Sequence, residues 1–190
     1  GQFIFADVSG SNTFTAGNYI IVNNSGLFTF NNASSLNTLN SNSYLRINNN
    51  GKFICSNGSG SSTLTLGTDL LINNTGSLML ENTSSLTGTT QINVLRNLTS
   101  SSTAAKAIDF GFGDVTGNTI YVKGNFAKSG TGVFTTSSTT SAPTGFVFNG
   151  TTQGFAYTGT ESAGVNFTVN TTGIFTLNNN YFFNSTTALP

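Results

Sequence analysis

The sequence contains no histidine and no tryptophan, a single cysteine, and only six basic and six acidic side chains in 190 residues. Without histidine the commonest general base and transition-metal ligand is missing, so Ser-His-Asp and Cys-His arrangements cannot be assembled. One cysteine, Cys55, cannot close an intrachain disulfide. Charged residues make up 6% of the chain, against roughly 25% in ordinary soluble domains. With a net charge of zero and no basic stripe to neutralise phosphates, nucleic acid is not expected as a partner. No apolar run approaches the roughly 18 residues of a membrane-spanning helix, so membrane insertion is not expected, and no signal-peptide pattern opens the sequence. What fills the space is Ser, Thr, Asn and Gly, interspersed with 17 Phe and 5 Tyr. Aromatic residues at regular positions argue against charge-driven disorder.

The regularity is a repeat. Thr13-Phe14-Thr15-Ala16-Gly17-Asn18-Tyr19-Ile20-Ile21-Val22-Asn23-Asn24-Ser25-Gly26 aligns without gaps with the segments beginning at Thr38 and Thr63, a step of 25 residues each time. The tails Phe28-Thr29-Phe30, Phe53-Ile54-Cys55 and Leu78-Met79-Leu80 share one register, and Gly1-Gln2-Phe3-Ile4-Phe5 falls on Gly26 to Phe30. The chain therefore begins inside a repeat, as a segment of something longer would. Within each repeat, apolar residues alternate as in strands, and Asn-Asn-x-Gly separates them with turn chemistry. Three short strands and their corners in 25 residues make one coil of a β-solenoid, which buries its inward side chains only when the next coil stacks upon it.

The expected fold is all-β, a right-handed parallel β-helix. Its inward ladders are Phe14/Leu39/Leu64, Ile20/Leu45/Leu70, Val22/Ile47/Ile72, Phe28/Phe53/Leu78 and Phe30/Cys55/Leu80. Asn24, Asn49 and Asn74 should stack at a corner through their amides. Tandem β-sandwiches, the rival fold, would pair strands antiparallel without such ladders.

After residue 87 the 25-residue register breaks. Thr99 to Ala105 reads as a Ser/Thr/Ala loop, and Thr135 to Pro143 as an outward loop. Alternation resumes at Ile120/Val122, Phe146/Phe148, Phe155/Tyr157, Phe167/Val169 and Phe175/Leu177, and Asn170-Thr171-Thr172-Gly173 repeats the turn. Residues 1–190 are thus expected to form a single solenoid, with regular coils over 1–87 and longer, looser coils over 88–190. About seven coils would stack to a rod on the order of 35 Å long.

The second half carries Gly117-Asn118-Thr119-Ile120-Tyr121-Val122-Lys123-Gly124-Asn125-Phe126, Ser129-Gly130-Thr131-Gly132-Val133-Phe134, Phe146-Val147-Phe148-Asn149-Gly150-Thr151-Thr152-Gln153 and Val165-Asn166-Phe167-Thr168-Val169-Asn170. Over roughly residues 115 to 180 this resembles the repeat regions of very large surface proteins of Bacteroidetes-type bacteria exported by type IX secretion. The resemblance implies secretion, attachment at the cell surface and assembly into fibres. It brings no catalytic residues.

Chemistry is sparse. Cys55 falls on an inward position, where a thiol is inert. The carboxylates are Asp7, Asp69, Glu81, Asp109, Asp114 and Glu161. Asp69 and Glu81 depart singly from neutral columns and are expected to be solvated, not converging as in sugar-degrading β-helices. Asp109 and Asp114 flank a Gly-rich turn, which either hydrogen-bonds itself or holds Ca²⁺ with backbone carbonyls, the former favoured. A Thr-x-Thr array at Thr13/Thr15, Thr38/Asn40 and Thr63/Thr65 faces outward; ice-binding solenoids use such arrays, and threonine is also simply a good strand residue. Outward Ile21, Leu71, Ile54 and Met79 suggest a subunit interface, interrupted by Arg46 and Lys52.

The function expected is that of a structural or adhesive segment of an extracellular fibre, stalk or filament, not an enzyme. No catalytic, cofactor or metal site is assigned. Partners would be further copies of the chain or a cell-surface or glycan target. The alternatives are a carbohydrate-binding or carbohydrate-degrading β-helix and an ice-binding module.

Overall fold

The computed structural model describes residues 1–6, 9–82, 88–111, 117–136, 144–159 and 164–178. Every strand in these segments belongs to one of three parallel sheets; each of the first six turns adds one strand to each sheet, and the seventh adds one to each of two, among the described residues. Sheet 1 stacks Gln2–Ala6, Leu27–Asn31, Lys52–Ser56, Ser77–Glu81, Ile108–Asp109 and Phe134–Thr135. Sheet 2 stacks Asn12–Ala16, Asn37–Ser41, Ser62–Leu66, Thr90–Val94, Thr119–Val122, Thr144–Phe148 and Val165–Val169. Sheet 3 stacks Ile20–Val22, Leu45–Ile47, Leu70–Asn74, Leu98–Ser102, Phe126–Lys128, Thr152–Tyr157 and Ile174–Leu177. The architecture is a parallel β-helix.

The expected ladders are present in register. Phe14 pairs with Leu39 and Leu39 with Leu64; Ile20, Leu45 and Leu70 form the next column, and Val22, Ile47 and Ile72 another. Phe28, Phe53 and Leu78 line up on sheet 1. Phe30, Cys55 and Leu80 are buried beside them. Alternation puts these residues on one face of each strand, and closing three faces around them removes them from water.

The Asn-rich corner has a local cause. Asn24, Asn49 and Asn74 adopt left-handed backbone angles, φ 50°, 48° and 54°, which asparagine tolerates better than most residues. The Asn74 amide donates to Asn49 Oδ1 at 2.7 Å, and the Asn49 amide donates to Asn23 Oδ1 at 3.1 Å and to Asn24 Oδ1 at 3.5 Å. Glycine follows for a packing reason: a Cβ on Gly51 or Gly76 would overlap the carbonyl of Val22 or Ile47 in the preceding turn.

Beyond residue 87 the turn lengthens while the pairing continues. Inter-turn hydrogen bonds that link residues 25 apart in the first half link residues 28 or 29 apart at Asn97, Asn118 and Asn125. In the last turn they link residues 21 or 22 apart. The interior changes with it. Leu and Ile columns give way to Phe126, Phe134, Phe146, Phe148 and Phe155, with Phe126 stacked on Phe155 at 5.1 Å and 8°. At the two ends of the stack Phe3, Ile174 and Leu177 are exposed.

Two sequence expectations require correction. Thr99–Ala105 is not wholly a loop, because Leu98–Ser102 is a strand of sheet 3, paired with Leu70–Asn74. Its inward positions carry Ser100 and Ser102, both buried, so the apolar alternation that marks a strand is absent while the backbone ladder is intact. The turn Asn170-Thr171-Thr172-Gly173 does not occupy the Asn-rich corner of the early coils. It joins sheet 2 to sheet 3, since Ile174–Leu177 pairs with Thr152–Tyr157. Of the proposed Thr135–Pro143 loop, Phe134–Thr135 ends a strand of sheet 1, and residues 137–143 lie outside the described segments.

Truncating a central ladder side chain, as in Leu64→Ala, should cost about 2–5 kcal/mol in denaturant unfolding, through lost burial and the cavity left behind. Ser100→Ala should be neutral or stabilising by up to about 1 kcal/mol, because the Ser100 hydroxyl is buried without a hydrogen-bond partner.

Candidate functional site

The acidic residues do not converge. Asp7, Asp114 and Glu161 lie outside the described residues. Asp69 and Glu81 are not solvated as the sequence led us to expect. Asp69 accepts from Arg96 through Nε at 3.0 Å and Nη2 at 2.6 Å, and from the backbone and side-chain nitrogens of Asn97 at 3.0 and 3.1 Å. It clamps one turn to the next, and it holds the Arg96 guanidinium above its ordinary pKa by hydrogen bond and charge. Glu81 is 1% exposed. It ends its strand in register with Ser56 and Asn31, which are also buried, because the chain at this corner turns its last strand residue inward.

Asp109 is likewise buried. Its carboxylate meets Lys106 Nζ at 2.7 Å and accepts the backbone N–H of Gly111 at 2.9 Å. The turn thus hydrogen-bonds to its own carboxylate, and a lysine ammonium stands where a cation would be drawn. Among the described residues no group of three metal-ligating side chains forms.

Cys55 is fully buried, and burial pushes its thiol well above the ordinary value, with the nearby Glu81 charge adding to the effect. Sequence reasoning missed Lys128. It occupies an inward position of sheet 3, aligned with Ser100 on one side and Tyr157 on the other, and is 2% exposed. Its ammonium donates to the carbonyls of Gly130 at 2.8 Å and Thr158 at 3.0 Å, and lies 5.3 and 5.1 Å from the ring centres of Phe134 and Tyr157. The one available signal was its place two residues after Phe126, on the inward alternation.

The outward apolar residues do not form one stripe. Ile21 and Leu71 lie on sheet 3 with Arg46 between them, whereas Ile54 and Met79 lie on sheet 1, where Ile54 is buried. Exposed aromatic surface gathers instead at Tyr19, stacked on Tyr44 at 5.2 Å, with Arg46 over the Tyr44 ring at 5.0 Å.

The outward face of sheet 2 carries two columns of mostly polar residues. One column runs Thr13, Thr38, Thr63, Gln91, Thr119, Gly145, Asn166; the other runs Thr15, Asn40, Thr65, Asn93, Tyr121, Val147, Thr168. The threonines do stack in register, but Asn40, Gln91 and Asn93 interrupt them. Over the last three turns this face is concave, forming a groove of about 240 Å³. Searches of protein-family models, of curated proteins and of solved structures return no match for this chain.

Two outcomes follow from these geometries. The Cys55 thiol should resist aqueous thiol reagents in the folded protein and react on unfolding. Its folded pKa is raised, so the unfolded state loses a proton first, above about pH 8.5; stability should therefore fall as pH rises beyond that point, and Cys55→Ala should show a shallower alkaline decline in pH-dependent unfolding. In thermal melts Asp69→Ala should lower the midpoint more than Arg96→Ala, since Asp69 also accepts from the Asn97 backbone.

Proposed function

We propose that the chain is a structural and adhesive segment of an extracellular fibre, stalk or filament, of the kind borne by large type IX-secreted surface proteins of Bacteroidetes-type bacteria. The observation that carries the reading is the in-register stacking of parallel strands turn upon turn, in three sheets from Gln2 to Thr135 and in two of them on to Leu177. A fold that spends its whole length repeating one cross-section yields distance and surface, both suited to holding something away from a cell. The near-absence of charge leaves a neutral exterior of amides and hydroxyls, which neither repels nor recruits by long-range fields. The resemblance over roughly residues 115 to 180 adds the secretion route and the surface location.

Immunogold microscopy of intact producing cells, with antibodies raised against this chain, tests the proposal. Label on filaments or surface projections is expected. Label confined to permeabilised cells, or a surface bearing no projection, would overturn it.

A further inference from the structure

The concave part of sheet 2 differs from the rest of that face in one respect. In every other described turn the first outward column carries a side chain, but in the sixth it holds Gly145, between Thr119 and Asn166. The dip is permanent. Gly145 has φ +145°, and a Cβ there would overlap the carbonyl oxygen of Asn166, so no other residue fits without moving the next turn. Beside the dip stands Tyr121, half-exposed, aligned with Val147 and Thr168. The groove so formed has about 240 Å³ of space, and among the described residues none of the side chains lining it is charged.

We infer that this groove is a binding subsite for a neutral polysaccharide. A sugar ring presents an apolar C–H face and a rim of hydroxyls. Tyr121 and Val147 offer the apolar contact, Thr119 and Thr168 offer hydroxyls at the spacing of adjacent turns, and Asn166, whose amide nitrogen is held by the carbonyls of Thr144 and Gly164, offers its amide oxygen. Concave sites built this way, apolar with a few convergent polar groups, are how proteins hold uncharged ligands. An anionic glycan would find no cation among the described lining residues to offset its desolvation. A chain ligand fits better than a single sugar, because the lining of the groove is drawn from three successive turns. The inference stands apart from the cellular location proposed above and holds or fails without it.

Titration calorimetry of the whole chain decides it, with cellohexaose, xylohexaose, maltohexaose and mannohexaose as neutral probes and a galacturonan hexasaccharide as the anionic arm. Binding to at least one neutral probe is expected, weakened about tenfold or more by Tyr121→Ala and largely kept by Tyr121→Phe. Tyr19→Ala, an exposed tyrosine elsewhere on the surface, should leave binding unchanged. Should Tyr121→Ala fail to fold, Thr168→Arg, at an exposed position, must abolish binding. Binding to no neutral probe, binding to the galacturonan alone, or full binding by a folded Tyr121→Ala or by Thr168→Arg would overturn the inference.

Discussion

Each strand of this protein finds its hydrogen-bond partners one turn away along the axis, and everything else is arranged around that fact. The backbone N–H of Ile20 donates to the carbonyl of Tyr44, that of Leu45 to Asp69, that of Leu70 to Asn97, and that of Leu98 to Asn125, all at 2.9–3.0 Å. This ladder survives the change in turn length between Leu70 and Leu98, where three residues are added at a corner. A turn on its own would leave its strands unpaired and its inward side chains wet. Added to a stack, it acquires both partners at once, so stability accrues turn by turn between nearest neighbours.

The same constraint explains how so many polar side chains can sit inside. Asn31 donates to the carbonyls of Ser35 and Ser61, and Ser56 to those of Gly58 and Gly60. In later turns Asn118 donates to Phe110 and receives the Thr90 N–H. Gln153 donates to the carbonyls of Val122 and Gly124 while accepting from Gly150 N–H. All bind backbone groups at or beside the corners, and the Ser61 and Val122 carbonyls also accept a backbone N–H from a neighbouring turn. Apart from inward residues of sheet 3 such as Ser100 and Lys128, apolar columns fill the flat faces and polar ones finish the bends, where they supply the partners that buried backbone groups need.

The fold was legible where inward positions are apolar and the spacing constant. Val22, Ile47 and Ile72 declare a column because each is unmistakably buried in character and each is 25 residues from the next. The reading faltered where a strand is held by backbone pairing rather than by apolar content, as at Ser100 and Ser102. It also faltered where a charged side chain is taken inside, as at Glu81 and Lys128, since hydropathy assigns such residues outward. The groove depends on Gly145 lying between Thr119 of the turn before and Asn166 of the turn after, an adjacency fixed only once turn lengths of the second half are known. A side chain that is missing leaves no trace in a hydrophobic pattern.

Because the inter-turn hydrogen bonds run parallel to the long axis, pulling the two ends of the chain apart would load them one turn at a time and not all together. An outermost turn would peel away before the next bore the strain, at the Gln2 end releasing about 25 residues that extend to roughly 80 Å. A sideways load would instead be shared across every layer. Such a molecule yields to tension in regular increments, as a shock absorber does, while resisting bending as a beam.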